Sequence, residues 1–255
     1  QQQIGADQLL QQLCELNIEL VLTAHPTEVS RRTLIQKYDD ISECLAQLDQ
    51  QKLTPKEHLH RLATLKQLMC SAWQSDEIRQ HRPTPVDEAK WGFATIEQTL
   101  WNAVPKFIRE LNALTVQHCA QSLPLHIAPI RFASWMGGDR DGNPNVSHQV
   151  TQEVLWLSRW QAADLYLRDI EKLRWELSIQ NCSEELSQAL GSAQPEPYRE
   201  YLRSTRDRLN ATRHYLKQRL QGLDSDDTQI IKTKDELLQP LLLCYRSLID
   251  TNLAE

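Results

Sequence analysis

The chain of 255 residues lacks several features that define particular classes of protein. It has no run of about 20 apolar residues, which a membrane-spanning helix requires, and its first residues show no basic-then-apolar export signal. It also has no excess of positive charge, since 28 Lys and Arg stand against 34 Asp and Glu, a formal net charge of −6. These absences argue against binding to a membrane or to nucleic acid, whose phosphates attract basic proteins, and favour a cytoplasmic protein.

Metal-binding cysteine pairs are also absent. The six cysteines are widely spaced, so no Cys-x-x-Cys pair exists to hold zinc. Because a chain of this length buries an adequate core without disulfides, we expect these cysteines to be reduced thiols: Cys14, Cys44, Cys70, Cys119, Cys182 and Cys244.

Glycine is scarce, with only 7 residues, about 3% where about 7% is usual. Three of the seven, Gly137, Gly138 and Gly142, lie close together. This composition predicts a mostly helical chain in which the glycine cluster marks an unusual backbone geometry.

Apolar residues recur at helical spacing through most of the chain. Capping sequences that begin at Thr54, Thr84 and Thr233, and a cap at Ser147, predict where four helices start. Another stripe runs from Tyr198 to Leu220 and ends before Gly222. Two prolines inside helical patterns, Pro105 and Pro240, predict kinks or interruptions.

Two segments, near 18–24 and 129–135, resemble buried strands because they are short, apolar and partly β-branched. A sheet of two strands is marginal alone, so we expect these two not to form a sheet by themselves but to pair with strands outside this chain, leaving an apolar seam exposed. The predicted fold is mainly α, a helical bundle carrying two short strands of an incomplete β/α-type barrel. We expect residues 1–255 to form a single helical unit.

Polar residues follow each predicted strand at the end where parallel sheets and barrels carry their sites. After the first strand comes His25, which precedes Pro26 and is therefore pushed into extended backbone. An imidazole exchanges protons near neutral pH, so His25 is a candidate catalytic residue. A histidine that only hydrogen-bonds within a turn is the alternative.

The second strand leads into a glycine-rich loop. Its members Gly137, Gly138, Asp139, Arg140, Asp141 and Asn143 are candidates for a substrate-binding or active-site loop. Arg140 carries a planar guanidinium suited to carboxylate or phosphate. The loop lacks the spacing of an EF-hand and the ending of a phosphate-binding P-loop. A structural turn with an internally paired arginine is the alternative.

Further arginines suggest an anion site. Arg31 and Arg32 stand where a helix starts, so the free backbone N–H groups of its first turn could join them in binding an anion, although a solvated face is equally compatible. A basic run on the helix that follows Tyr198 is interpreted as a solvated face: Arg203, Arg206, Arg208, Arg213, Lys217 and Arg219.

Two long motifs resemble the N-terminal signatures of phosphoenolpyruvate carboxylase, the bacterial form in particular. They are Val21-Leu22-Thr23-Ala24-His25-Pro26-Thr27-Glu28 with Arg31-Arg32, and the stretch from Phe132 to Pro144 that contains Gly-Gly-Asp-Arg-Asp-Gly-Asn-Pro. Shorter stretches also match, among them Asp76-Glu77-Ile78-Arg79. Family members are several hundred residues longer, so the resemblance implies the N-terminal portion of such an enzyme.

The resemblance implies a carbon–carbon lyase that forms oxaloacetate and phosphate from phosphoenolpyruvate and bicarbonate. It assigns His25, the family's catalytic histidine, and Arg140 as catalytic residues, and Arg31, Arg32 and Arg79 as an activator-binding group. The family uses Mg²⁺ or Mn²⁺, responds to allosteric effectors and is homo-oligomeric. Its metal ligands lie downstream of this chain, so we expect the isolated chain to be inactive.

A different class of function is compatible with the same arginines. In that interpretation the chain is a stand-alone helical module that binds an anion such as a sugar phosphate without catalysis. Calorimetric titration with phosphoenolpyruvate and sugar phosphates distinguishes the two.

Overall fold

The computed structural model describes residues 5–23, 32–50, 52–75 and 83–253. Helices dominate these residues, as the composition and periodicity predict. In chain order the elements are α1 (Ala6–Glu15), β1 (Ile18–Leu22), α2 (Arg32–Gln50), α3 (Pro55–Trp73), α4 (Pro85–Thr95), a π-helical turn (Ile96–Leu100), α5 (Trp101–Cys119), β2 (Ile130–Ser134), α6 (His148–Glu176), α7 (Glu184–Leu190), α8 (Pro197–Leu220) and α9 (Lys234–Asp250). The predicted fold class, mainly α with two short strands, is confirmed.

The chain divides into two compact units. Unit 1 comprises Gln1–Ala94 and Val104–Asp141, and unit 2 comprises Thr95–Ala103 and Gly142–Glu255. The expectation of a single helical unit over 1–255 stays a prediction.

The helix starts follow the capping residues in the sequence. The Thr54 hydroxyl accepts a hydrogen bond from the Glu57 backbone N–H at 3.3 Å, and the Glu57 carboxylate accepts one from the Thr54 N–H at 2.9 Å. Ser147 caps α6 and Thr233 caps α9 through their side chains. Because a cap satisfies backbone donors that the first turn leaves without partners, these polar residues fix where each helix begins.

The two internal prolines do not end their helices. α9 runs through Pro240 and α5 runs through Pro105. Upstream of Pro105 the winding widens into the π-helical turn, where the Trp101 N–H bonds to the Ile96 carbonyl. Pro105 lacks an N–H donor and crowds the carbonyl of Trp101, four residues earlier. The π-helical turn ends directly before Trp101, so the change in winding adjoins the crowded carbonyl.

The core of unit 2 is formed by α6, α7, α8 and α9. Leu186, Tyr198 and Leu202 are fully buried together, and Leu167, Ile170 and Leu209 form a second buried cluster. The predicted stripe on α8 is therefore confirmed as the face that packs inward. α8 ends at Leu220. Just beyond it Gly222 has a φ of +73°, and the Leu223 N–H donates to the Gln218 carbonyl, which closes the helix.

Buried polar groups in that core have partners. The Ser247 hydroxyl accepts a hydrogen bond from the Ser183 backbone N–H at 2.8 Å and shares one with the Tyr198 hydroxyl at 2.8 Å. Ser183 in turn caps α7 by accepting from the Leu186 N–H. The sequence patterns did not predict α7 or this network, because a short helix shows too few apolar repeats to be recognised.

In unit 1, β1 and β2 pair with each other in parallel, with Ile18 opposite Ile130 and Leu22 opposite Ser134. The expectation that they could not form a sheet of their own is wrong. The long connection between them permits the crossover that parallel pairing requires. Apolar side chains on these strands remain exposed, as the expected seam implies: Ile18, Leu20, Val21 and Phe132.

Candidate functional site

The parallel register places the carboxyl ends of β1 and β2 side by side. Leu22 and Ser134 are paired, and the Trp135 N–H extends the ladder by donating to the Leu22 carbonyl at 3.1 Å. The chain after β1 leads towards the His25 segment, and the chain after β2 leads into the glycine-rich loop. Two neighbouring strand ends are thus the starting points of the two motifs. His25 itself lies outside the described residues, so its convergence with Arg140 stays a prediction.

A tight turn follows β2. The Trp135 carbonyl accepts hydrogen bonds from the Gly138 N–H at 3.0 Å and the Asp139 N–H at 2.9 Å. Gly137 occupies this turn with a φ of +70°, a conformation that side chains disfavour. The glycine at position 137 therefore serves the turn geometry that the sequence predicted for the cluster.

The Met136 side chain anchors the turn to α4. It is buried, and it lies so close to Gly92 of α4 that a Cβ at position 92 would meet the Met136 Cε at 2.0 Å. Gly92 thus makes room for the methionine that holds the loop to unit 1. Sequence reasoning missed this role, although a glycine inside a helical pattern of a glycine-poor chain was a usable signal.

The charged residues of the loop face solvent. Asp139, Arg140 and Asp141 are all exposed. The Asp139 carboxylate accepts a hydrogen bond from the Asp141 backbone N–H at 3.3 Å, which fixes its orientation within the loop. The arrangement presents a guanidinium and two carboxylates on a short backbone segment, which suits contact with a charged ligand.

The second segment of unit 2, Gly142–Glu255, begins with the remainder of the same motif. Gly142 has a φ of +71°, and the exposed Asn143 accepts at its side-chain oxygen from the Asn145 N–H at 3.0 Å. The Asn143 carbonyl accepts from the Val146 N–H at 3.2 Å, and Val146 is buried. Asn143 therefore organises the turn that leads into the Ser147 cap of α6.

The activator-binding candidates fall largely outside the described residues. Arg31 and Arg79 lie outside the described residues. Arg32 is the first residue of α2, in agreement with a position at a helix start, but its side chain also lies outside them. The assignment of these three residues stays a prediction.

Several arginines of the basic run on α8 form ion pairs with carboxylates. Ion pairs join Arg203 to Glu200 at 2.6 Å and Arg213 to Asp164 at 2.8 Å, and Arg208 to Glu236. Asp164 is itself buried on α6 and also pairs with Arg168 at 2.6 Å. The interpretation of a purely solvated face is therefore incomplete, because part of the run ties α8 to α6 and α9.

Within 5–23, 32–50, 52–75 and 83–253, no three His, Cys, Asp or Glu side chains come together in a way that could hold a metal ion. No helix in the part of the chain that the structure describes is long and apolar enough to cross a membrane.

The fold and this loop define a mainly helical protein in which two adjacent parallel strands present a glycine-rich, charged loop at their carboxyl ends. Comparison with known proteins gives the family. A family model described as phosphoenolpyruvate carboxylase matches residues 1–255. The chain belongs to the phosphoenolpyruvate carboxylase family, as the two sequence motifs predict.

Curated relatives agree. Over 252 residues the chain is 80% identical to a protein named phosphoenolpyruvate carboxylase from Acinetobacter baumannii, covering 99% of this chain and 28% of that protein. It is 76% identical to the Acinetobacter baylyi protein of the same name, over 100% of this chain and 28% of that protein. For the Pseudomonas putida protein the identity is 52%, with coverages of 95% and 28%. The chain thus spans a little over a quarter of these relatives' length, which confirms that it corresponds to a part of such an enzyme.

Proposed function

We propose that this chain is part of an enzyme that forms oxaloacetate and phosphate from phosphoenolpyruvate and bicarbonate. Its family membership supports this activity. The observation that carries the assignment to particular residues is the pairing of Leu22 with Ser134. Through it, the segment with His25 and the loop with Arg140 start from adjacent strand ends, where α/β proteins place their sites.

The proposed reaction has two stages. A bicarbonate oxygen attacks the phosphorus of phosphoenolpyruvate, and the bond from phosphorus to the enol oxygen breaks, which yields carboxyphosphate and the enolate of pyruvate. His25 then accepts the carboxyl proton of carboxyphosphate, which breaks down to CO₂ and phosphate. The enolate carbon attacks CO₂ to form oxaloacetate. A group that titrates near neutrality suits this proton transfer.

The loop residues are assigned to binding. Arg140 would hold an anionic group of the substrate, since a guanidinium pairs with phosphate or carboxylate through two parallel hydrogen bonds. Gly137 and Gly138 would let the backbone approach the ligand, and Asp139, Asp141 and Asn143 would hold the loop in shape. Arg31, Arg32 and Arg79 would bind a phosphorylated activator.

Other features are proposed for the longer protein. It would use Mg²⁺ or Mn²⁺ held by residues outside this chain, respond to allosteric effectors, form homo-oligomers and act in the cytoplasm. The chain by itself would be inactive in carboxylation, because the residues it contributes supply only part of the site.

A chimera tests the proposal. The matching segment of the Acinetobacter baumannii protein, 80% identical, is replaced by this chain, and oxaloacetate formation is followed in a coupled assay. We expect the chimera to be active, and His25→Asn to lower kcat by at least about 100-fold, the scale of general acid–base catalysis. His126→Asn, at an exposed position four residues before the amino end of β2, is the matched control and should leave kcat unchanged.

Two results would contradict the proposal. An inactive but folded chimera would separate this chain from the carboxylase function. Full activity of the His25→Asn chimera would remove the proton-transfer role. Calorimetry on the 255-residue chain then tests the binding-module alternative, which requires tight binding of phosphoenolpyruvate or a sugar phosphate without added metal ion.

A further inference from the structure

A cavity in unit 2 is lined by four arginines. Arg174 comes from α6, and Arg199, Arg203 and Arg206 come from α8. The cavity has a volume of about 620 Å³, within the range of small-molecule sites. On α8 the three arginines are spaced three and four residues apart, which places them on one face of the helix.

Three of these arginines already have carboxylate partners. Arg199 pairs with Glu196 at 3.0 Å and Arg203 with Glu200 at 2.6 Å. Arg206 pairs with Asp207 at 2.6 Å.

Arg174 is different. Its Nε donates to the Arg199 backbone carbonyl at 3.1 Å, and none of the ion pairs within the described part of the chain includes it. Burial lowers the pKa of Arg174, and the charges of Arg206, Arg199 and Arg203 lower it further. Four arginines line the cavity against two carboxylates, Glu196 and Glu200, so the lining carries a net positive charge, and the half-buried Arg174 guanidinium is repelled by the other three arginines.

The backbone of α8 adds to the positive potential of the cavity. α8 is 24 residues long and starts at Pro197, at the cavity wall, and its N-cap residue Glu196 makes no capping hydrogen bond through its side chain. The N-terminus of a helix bears a partial positive charge and attracts anions. In addition, the Arg199 guanidinium stacks over the Trp175 ring at 4.8 Å, which restrains the orientation of its hydrogen-bond donors.

We propose that this cavity binds a small anion with two or more phosphate groups. Guanidinium groups recognise phosphate with paired hydrogen bonds. The arginines from Arg199 to Arg206 span seven residues, about 10 Å along the helix axis, so a polyphosphate can engage more of these guanidinium groups at once than a single phosphate can. This site uses residues of α6 and α8 and shares none with the strand-end loop, so it stands independently of the proposed reaction.

Isothermal titration calorimetry of the chain with inorganic tripolyphosphate at 0.15 M NaCl tests the site, since weak surface attraction is largely screened at this salt concentration. We expect tripolyphosphate to bind at least tenfold more tightly than orthophosphate and more tightly than citrate. Arg174→Gln should weaken binding about tenfold or more, the loss of a charged hydrogen bond. Arg246→Gln, which removes an exposed arginine paired with Glu185, should change nothing.

Three results would contradict the proposed site. No heat with tripolyphosphate, tighter binding of citrate, or equal weakening by Arg174→Gln and Arg246→Gln would overturn the proposal. If Arg174→Gln proves unfolded by circular dichroism, Arg203→Gln replaces it. Its side chain is 55% exposed, so folding should tolerate the change, and unchanged binding by that variant would refute the site.

Discussion

The core of unit 2 and the strand pair of unit 1 show two different ways of handling apolar residues. On α8, Tyr198, Leu202 and Leu216 are almost completely buried. On β1, by contrast, Leu20 is 48% exposed, and Ile18 and Val21 are little better covered. Because buried apolar area is the dominant favourable term in folding, the helical core of unit 2 should contribute far more to stability than the strand pair does. The strand pair instead supplies the position of the candidate loop.

Matched leucine truncations should show this difference most strongly. Leu202→Ala empties a fully buried position, and we expect it to lower the free energy of unfolding by about 2–5 kcal/mol. Leu20→Ala removes a side chain that is already half exposed, and the loss should stay below about 1 kcal/mol. Urea unfolding of each variant, followed by circular dichroism, measures both. Equal losses would show that the strand pair is as well packed as the helical core.

Removal of the hydroxyl at the centre of the buried polar network should have a smaller effect. Ser247→Ala leaves the Ser183 N–H and the Tyr198 hydroxyl without the partner they have at 2.8 Å. The expected loss is about 1–3 kcal/mol, because a buried donor is then unsatisfied. Thermal unfolding provides the measurement.

Ser204→Ala is the control for that variant. Ser204 lies on the same helix as Tyr198 but is exposed, so its replacement should change stability by no more than about 0.5 kcal/mol. A Ser247→Ala protein as stable as the control would mean that the network does not contribute to the core of unit 2.

The sequence predicted well those parts of the fold that depend on local signals. The caps at Thr54, Ser147 and Thr233 and the apolar stripe of α8 lie within single helices, where spacing and side-chain chemistry decide the outcome. The two strands were also located to within two residues at each end. Whether they pair with each other depends on contacts between residues more than 100 positions apart, which no local pattern contains.

The candidate site divides in the same way. Gly137 was recognisable from the sequence because a turn residue with positive φ favours glycine. The arginine cavity was not, since Arg174 and Arg199 lie on different helices and meet only through the packing of α6 on α8. A basic run on one helix has the same appearance whether its face is solvated or closes a cavity with a second helix.

The smallest expected effect concerns acid sensitivity at the surface of unit 1. The Thr84 hydroxyl donates to the Asp87 carboxylate at 2.7 Å at the start of α4, which is the main reason that the pKa of Asp87 lies below its ordinary value. A lowered pKa in the folded state stabilises the protein above the ordinary carboxyl pKa, and this contribution is lost as the pH falls through the lowered value. Thr84→Val should therefore raise the pKa of Asp87 towards its ordinary value in an NMR titration, and loss of α4 stability should begin at a higher pH.

Thr64→Val is the control: the Thr64 hydroxyl donates to the His60 carbonyl, so this change should leave the titration of Asp87 unchanged. The buried network of Ser183, Tyr198 and Ser247 has no carboxyl group, so the two regions should respond differently to acid, and an unaltered Asp87 titration in Thr84→Val would remove that contrast.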